Sequence, residues 1–238
     1  MQKTILFDLD GTLLPLEFDI FFKDYLQLIA AYCAPEIPRE KFIRELLNST
    51  SKMVENEGLY TNEEVFMQSF LPALDLERDK IYPVFEDFYR TEFRKLKECT
   101  APSPLSGQIL SKVIEDGWQI VLATNPLFPI IAIEERMRWA EIEKYPWSHV
   151  TSYETSHFCK PDCRYFEEIC NKLSLEPHKC WMIGNDATED MIAGRLGFKT
   201  FLVTDHLITK GAEVYRADQQ GTLCDLLDFV QRGLPVDD

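Results

Sequence analysis

An apolar run, Thr4-Ile5-Leu6-Phe7, passes directly into Asp8-Leu9-Asp10-Gly11-Thr12-Leu13, and this junction constrains the fold more than any other stretch. Side chains two apart on a strand share a face, so a strand ending here aims Asp8 and Asp10 the same way at its carboxyl end. In α/β proteins, that end of a parallel sheet is where ligands bind. Two like charges so close need a cation, a shared proton or good solvation to ionise together. A hard divalent ion with oxygen ligands meets that need, and Mg2+ is the usual choice beside phosphate. The competing reading is a solvated turn, since Asp and Gly are ordinary turn residues.

The pattern then becomes helical. Phe18, Phe21, Phe22, Tyr25, Leu26, Leu28 and Ile29 recur at intervals of three and four, which predicts a helix from Glu17 to about Tyr32. Pro35 and Pro38 break the run and Arg39 to Leu47 resumes it. Thr61 and Glu64 form a capping signature for a further helix, which Pro72 is expected to interrupt, and Leu76 to Leu96 is helical again. With no convincing strand between about 15 and 99, that segment reads as an all-helical insert.

From Ala101 the alternation of helix and strand returns. Helices are predicted at Ser106 to Asp116, Phe128 to Trp139, Asp162 to Leu173 and Glu189 to Leu196. Strands are predicted at Trp118 to Thr124, His149 to Ser152, Cys180 to Gly184 and Lys199 to Val203. This rhythm implies a doubly wound parallel sheet, an α/β fold.

The net charge of -15, from 40 acids against 25 bases, makes nucleic acid and anionic membrane poor partners. A small anionic substrate can still bind where a metal and a local lysine reverse the sign. No apolar stretch approaches the roughly 20 residues that a spanning helix needs, and Met1-Gln2-Lys3 leads into a strand with no signal-like segment. The expectation is a cytoplasmic protein, monomeric by default. Seven irregularly spaced cysteines fit reduced thiols better than a disulfide framework. Cys159, Cys163 and Cys170 are close in sequence but lack the paired spacing of a zinc site.

Polar residues just past each apolar run converge at one sheet edge. The second run ends in Ala123-Thr124-Asn125-Pro126, offering a hydroxyl and an amide to phosphoryl oxygens, or alternatively a helix cap. Next comes Phe158-Cys159-Lys160-Pro161, whose lysine taken alone reads as solvated. The last run ends in Gly184-Asn185-Asp186-Ala187-Thr188-Glu189-Asp190. Asp186 and Asp190 are spaced to share one helical face and support a cation, or to act as partners of the helix dipole.

Taken in order, these four segments resemble the motifs of the haloacid dehalogenase-like (HAD) hydrolase superfamily. Asp8 to Thr12 is similar to its first motif, Thr124 with Asn125 to its second, Lys160-Pro161 to its third, and Gly184 through Asp190 to its fourth. The helical insert directly after the first motif resembles the C1-capped subgroup. The resemblance implies a Rossmann-like core of residues 1–14 and 100–238 and a helical cap of 15–99. It also implies a Mg2+-dependent phosphatase that acts on a small phosphorylated metabolite through an aspartyl-phosphate.

In that scheme Asp8 is the nucleophile and Asp10 the general acid and base. Thr124, Asn125 and Lys160 hold the phosphate. Mg2+ is bound by Asp8, the backbone carbonyl of Asp10 and Asp186, with Asn185 and Asp190 as further candidates for the metal or its surroundings. Asn185 departs from the many relatives that carry Asp directly after the glycine, leaving Asn185 or Asp186 as the direct ligand; the spacing to Asp190 favours Asp186. Dehalogenating members lack an acid at the Asp10 position, so Asp10 favours phosphoester cleavage. A sugar phosphomutase, a phosphonate-cleaving relative with a cap lysine, a nucleotide-sugar transferase and a non-catalytic binding module are the alternatives. Phe18, Phe21, Phe22, Tyr25 and Tyr60 are candidates either for a substrate pocket or for core, and His149 and His157 for the site edge or a structural role.

Overall fold

The computed structural model describes residues 3–209 and 213–235. Met1 and Gln2, read above as the approach to the first strand, lie outside them. Six parallel strands form one sheet in the order β3-β2-β1-β4-β5-β6. They are β1 (Thr4–Phe7), β2 (Gln119–Leu122), β3 (Trp147–Val150), β4 (Cys180–Gly184), β5 (Lys199–Val203) and β6 (Gln219–Gly221). The winding reverses between β1 and β4, so a crevice opens beyond the carboxyl ends of those two strands.

The buried strands alternate their side chains between two apolar layers. Ile5 and Phe7 of β1 face one layer with Ile120, Leu122, Trp181 and Ile183, whereas Leu6, Val121 and Met182 face the other. The first layer is covered by α5 (Pro104–Glu115), α6 (Ile130–Trp139) and α8 (Leu223–Gln231), the second by α7 (Cys163–Leu173). This is the doubly wound α/β class that the alternating pattern predicts.

Between β1 and α5 the chain is helical: α1 (Phe18–Cys33), α2 (Arg39–Val54), α3 (Asn62–Leu74), α4 (Arg78–Arg90) and a 3-10 stretch at Glu92–Cys99. Where this insert leaves and rejoins the core, Leu16 bridges antiparallel to Thr100 and the Ala101 N–H donates to the Pro15 carbonyl at 2.9 Å. The insert shares its core with the sheet layer below, since Phe21 and Phe93 both pack on Trp139 of α6.

Thr61 and Glu64 do form the reciprocal cap of α3. Pro72 does not interrupt that helix, which runs on to Leu74 and stops at Asp75 in the left-handed region (φ 56°). A proline this near the end removes a single intrahelical bond. The helix expected from Glu189 is only a short 3-10 stretch, Met191–Leu196, ended by Gly197 at φ 96°. β6 and α8 add to the expected elements. No helix among the described residues is long and apolar enough to cross a membrane.

Candidate active site

The β1–β4 ladder continues one residue past the strand, with the Asp8 N–H donating to the Ile183 carbonyl at 2.9 Å. This fixes the Asp8 backbone at the switch point of the sheet. The Asp8 carboxylate then accepts from the Lys160 ammonium at 3.0 Å, and that ammonium also donates to Asp190 at 2.5 Å. All three residues are buried. Burial pushes the lysine pKa down, but Asp190 and Asp8 outweigh it and hold the group well above its usual value. Burial, with the charges of Asp190 and Asp10, raises Asp8 to about 8 against the pull of Lys160.

Gly11 turns the chain back at φ 81°, close enough to Asn185 that a side chain at position 11 would overlap its amide. The Thr12 hydroxyl consequently reaches both Asp8 (3.3 Å) and Asn185 (3.2 Å). Asn185 is anchored on its other side by donating to the His206 carbonyl at 2.6 Å.

Asp10 turns towards α6, where Arg136 donates to its carboxylate. The other carboxylate oxygen is buried and meets no partner among the described residues. Burial raises the Asp10 pKa, opposed by Arg136 and Lys160. Asp186 is half-buried, and one of its oxygens accepts the N–H groups of Thr188 (2.7 Å) and Glu189 (2.8 Å). Its own N–H donates to Asp190 at 2.9 Å, which holds Asp190 against Lys160.

Thr124 and Asn125 do not cap α6. That role falls to the Glu154 carboxylate, which accepts the Ile130 N–H at 2.9 Å. Thr124 lines the cavity above Asp8, its carbonyl held by the hydroxyls of Thr151 (2.7 Å) and Tyr165 (2.9 Å). Asn125, expected to hold phosphate, also lines this cavity. Its amide donates to Glu189 at 2.9 Å and to the Lys160 carbonyl at 3.3 Å, and its oxygen accepts the Lys160 N–H at 3.2 Å. Both amide hydrogens are thus committed within the protein, and Asn125 ties the second loop to the third.

Two functional candidates escaped the sequence reading. Arg136 is fully buried on the apolar side of α6, beside Ala132, Ile133 and Met137. An arginine inside a helical apolar stripe is the signal that was there to be read. Glu189, one residue before Asp190, is raised to about 7 by burial and faces the same cavity. His149 and His157 do not line that cavity; His157 pairs with Glu168 at 2.7 Å.

Among the described residues, no three His, Cys, Asp or Glu side chains form a preformed metal cage. The acidic side chains that face the crevice supply oxygens, and His206 adds one imidazole to its lining. Asp8, Asp10, Asp186, Glu189 and Asp190 outnumber the cations Lys160 and Arg136, and no cysteine lines the cavity. A carboxylate-rich set with surplus negative charge suits a hard divalent cation such as Mg2+ and does not suit zinc bound by thiolates. The seven cysteines are free.

A doubly wound sheet with an aspartate at its switch point, a buried lysine beside it and a helical insert overhead makes this an α/β protein with a charged site at the sheet's crevice. The model of the haloacid dehalogenase-like hydrolases matches residues 2–197, and the chain belongs to that family. Among solved structures it is similar to a HAD phosphatase from Thermococcus onnurineus at TM-score 0.61 and 19% identity, covering 96% of this chain and 97% of that one. The L-2-haloacid dehalogenase from Xanthobacter autotrophicus with chloropropionic acid covalently bound matches at TM-score 0.61 and 14% identity, covering 99% and 100%. A candidate β-phosphoglucomutase from Thermotoga maritima matches at TM-score 0.59 and 19% identity, covering 98% and 100%. At these identities the likeness is one of fold. No curated protein sequence matches the chain significantly.

Proposed function

We propose that this hydrolase is a Mg2+-dependent phosphatase working through an aspartyl-phosphate, with residues 15–99 as a C1-type cap. The observation that carries this reading is Asp8, buried at the carboxyl end of β1 with Lys160 on one oxygen and Asp10 beside it at the cavity mouth. The structural neighbours, alike in fold, include a phosphatase as well as dehalogenases. Asp8 attacks phosphorus while Asp10 gives its proton to the departing alkoxide, so one P–O bond forms as another breaks. Asp10 then takes a proton from water, whose oxygen attacks the phosphoryl group and restores the Asp8 carboxylate.

Lys160, fixed between Asp8 and Asp190, sets positive charge next to the transferring group without needing to reorganise. Asp8, the backbone carbonyl of Asp10 and Asp186 are the residues that would hold Mg2+. When bound, the ion supplies charge that offsets repulsion between nucleophile and substrate.

The test is turnover of p-nitrophenyl phosphate. Hydrolysis should require Mg2+, stop with EDTA, and fall by about four orders of magnitude or more in Asp8→Asn. Metal-independent hydrolysis, or an Asp8→Asn enzyme of near-normal rate, would overturn the reading.

A further inference from the structure

The cavity above Asp8 does not stop at the catalytic crevice. It continues into the insert as a single space of about 890 Å3, near the upper end of the usual range for small-molecule sites. Its upper walls come from Phe22 and Ile29 of α1, Leu46 of α2, Phe66 and Met67 of α3 and Phe85 of α4. Phe128 and Tyr153 close it from the core side.

Two features of this upper chamber bear on what can occupy it. Some of its polar wall groups are already bonded within the protein. The Thr50 hydroxyl donates to the Leu46 carbonyl at 2.9 Å, and the Tyr25 and Tyr89 hydroxyls bond each other at 2.9 Å. Burial raises both tyrosines, so the pair stays neutral. The charged lining is also mainly acidic: among the described residues it contains no lysine or arginine, and Glu17, Asp19 and Asp205 lie at its mouth with His206, whose ring stands 3.5 Å from Glu17.

We propose that the preferred substrate is a phosphomonoester whose alcohol part is a bulky, uncharged and mainly apolar group, seated between α1, α2, α3 and α4. This rests on the phosphatase reading of Asp8. A sugar would lose the water bound to its hydroxyls and meet a wall built mainly of apolar side chains. A second phosphate or carboxylate would enter a desolvated space with acids behind it and no lysine or arginine among the described lining residues to meet it. An apolar group gains by leaving water, in proportion to the area it buries. Phe18, Phe22 and Tyr25 thus belong to the pocket, whereas Phe21 is sealed in the core and Tyr60 is exposed.

The experiment is a series of unbranched alkyl phosphates from ethyl to octyl, with glycerol phosphate, glucose 6-phosphate and fructose 1,6-bisphosphate alongside. Alkanol leaving groups differ little in basicity, so the trend reports the pocket rather than the chemistry. kcat/KM should rise roughly three- to fourfold per methylene until the chamber is full. Octyl phosphate should exceed the polar substrates by about two orders of magnitude or more. Thr50→Arg, which places a cation in the wall, should flatten the series and improve the bisphosphate.

A flat series, or a preference for the sugar phosphates, would overturn the proposal even if Thr50→Arg fails to fold. Calorimetric binding of the same series separates the two readings. Affinity that climbs with chain length but without turnover would remove the phosphatase reading and leave the apolar chamber. Turnover without chain-length dependence would do the reverse.

Discussion

Arg136 and Asp10 form a buried ion pair that joins the interior of α6 to the loop after β1. The guanidinium is stacked 4.5 Å from the centre of the Phe128 ring, and its Nε donates to the Ala132 carbonyl at 3.3 Å. One terminal nitrogen meets no partner among the described residues. The pair orients the proposed acid from behind and couples it to the helix that supports the insert.

Removing one member of such a pair leaves the other charge desolvated, which usually costs about 3–5 kcal/mol. Arg136→Met should therefore lose about that much stability in urea denaturation. The double variant Arg136→Met with Asp10→Asn should lose much less than the two single losses combined. Additive losses would show that the two side chains do not depend on each other.

Gly184 ends β4 directly under Asp190, and a Cβ there would overlap the Asp190 carboxylate. Gly184→Ala should force Asp190 away from Lys160 and cost about 1–3 kcal/mol through overpacking. If displacement of Asp190 is the cause, kcat of Gly184→Ala should fall to the level of Asp190→Ala, and the double variant should fall no further. Losses that multiply in the double variant would mean that the glycine serves something other than room for Asp190.

Much of this arrangement was legible because it is written locally. β1, β2, β4 and β5 are apolar runs bounded by turn residues, and the functional candidates Asp8, Thr124 and Asp186 stand just past such runs. β6 was not legible, since Gln219-Gln220-Gly221 has no strand character and owes its conformation to pairing with Phe201 to Val203. α8 did carry a signal, a cap formed by Thr222 and Asp225, before apolar residues at helical spacing. What no local pattern reveals is commitment across the chain. Asn125 looks free to bind phosphate until the backbone of Lys160 and the side chain of Glu189 are seen to use its amide.

His149 on β3 gives a pH dependence with a definite sign. Burial, aided by Lys172 and opposed by Glu168, lowers its pKa to about 4 from the usual 6.5. Below pH 6.5 the unfolded chain takes up the proton first, so stability rises with pH between about 4 and 6.5. The contribution is complete above that window and is lost as pH falls through it. The ring is only half-buried, so solvent screening limits the effect to about 1 kcal/mol or less. The urea midpoint of the wild type should rise relative to that of His149→Phe as pH is raised from 4.5 to 7. Parallel curves would place the imidazole in effectively open solvent.

Asn62 fastens the insert to the core loop after β3, the loop that carries Lys160. Its N–H donates to the Ser156 carbonyl at 2.9 Å, and the Glu63 N–H to the Tyr153 carbonyl at 2.8 Å, so the free end of α3 is completed by the loop after β3. The fully buried Asn62 amide reaches the Phe158 carbonyl (3.4 Å) and the Cys159 sulfur (3.3 Å), and its oxygen accepts from Asn56 at 3.0 Å. Asn62→Ala strips partners from several buried polar groups at once, costing about 1–3 kcal/mol. Because the contacts join two parts of the fold, the loss should be felt on both sides. Amide hydrogen exchange should quicken together at the start of α3 and in residues 153–159, while β1 and β4 keep their protection. Faster exchange confined to α3 would mean that Asn62 stabilises its own helix without holding the insert to the core.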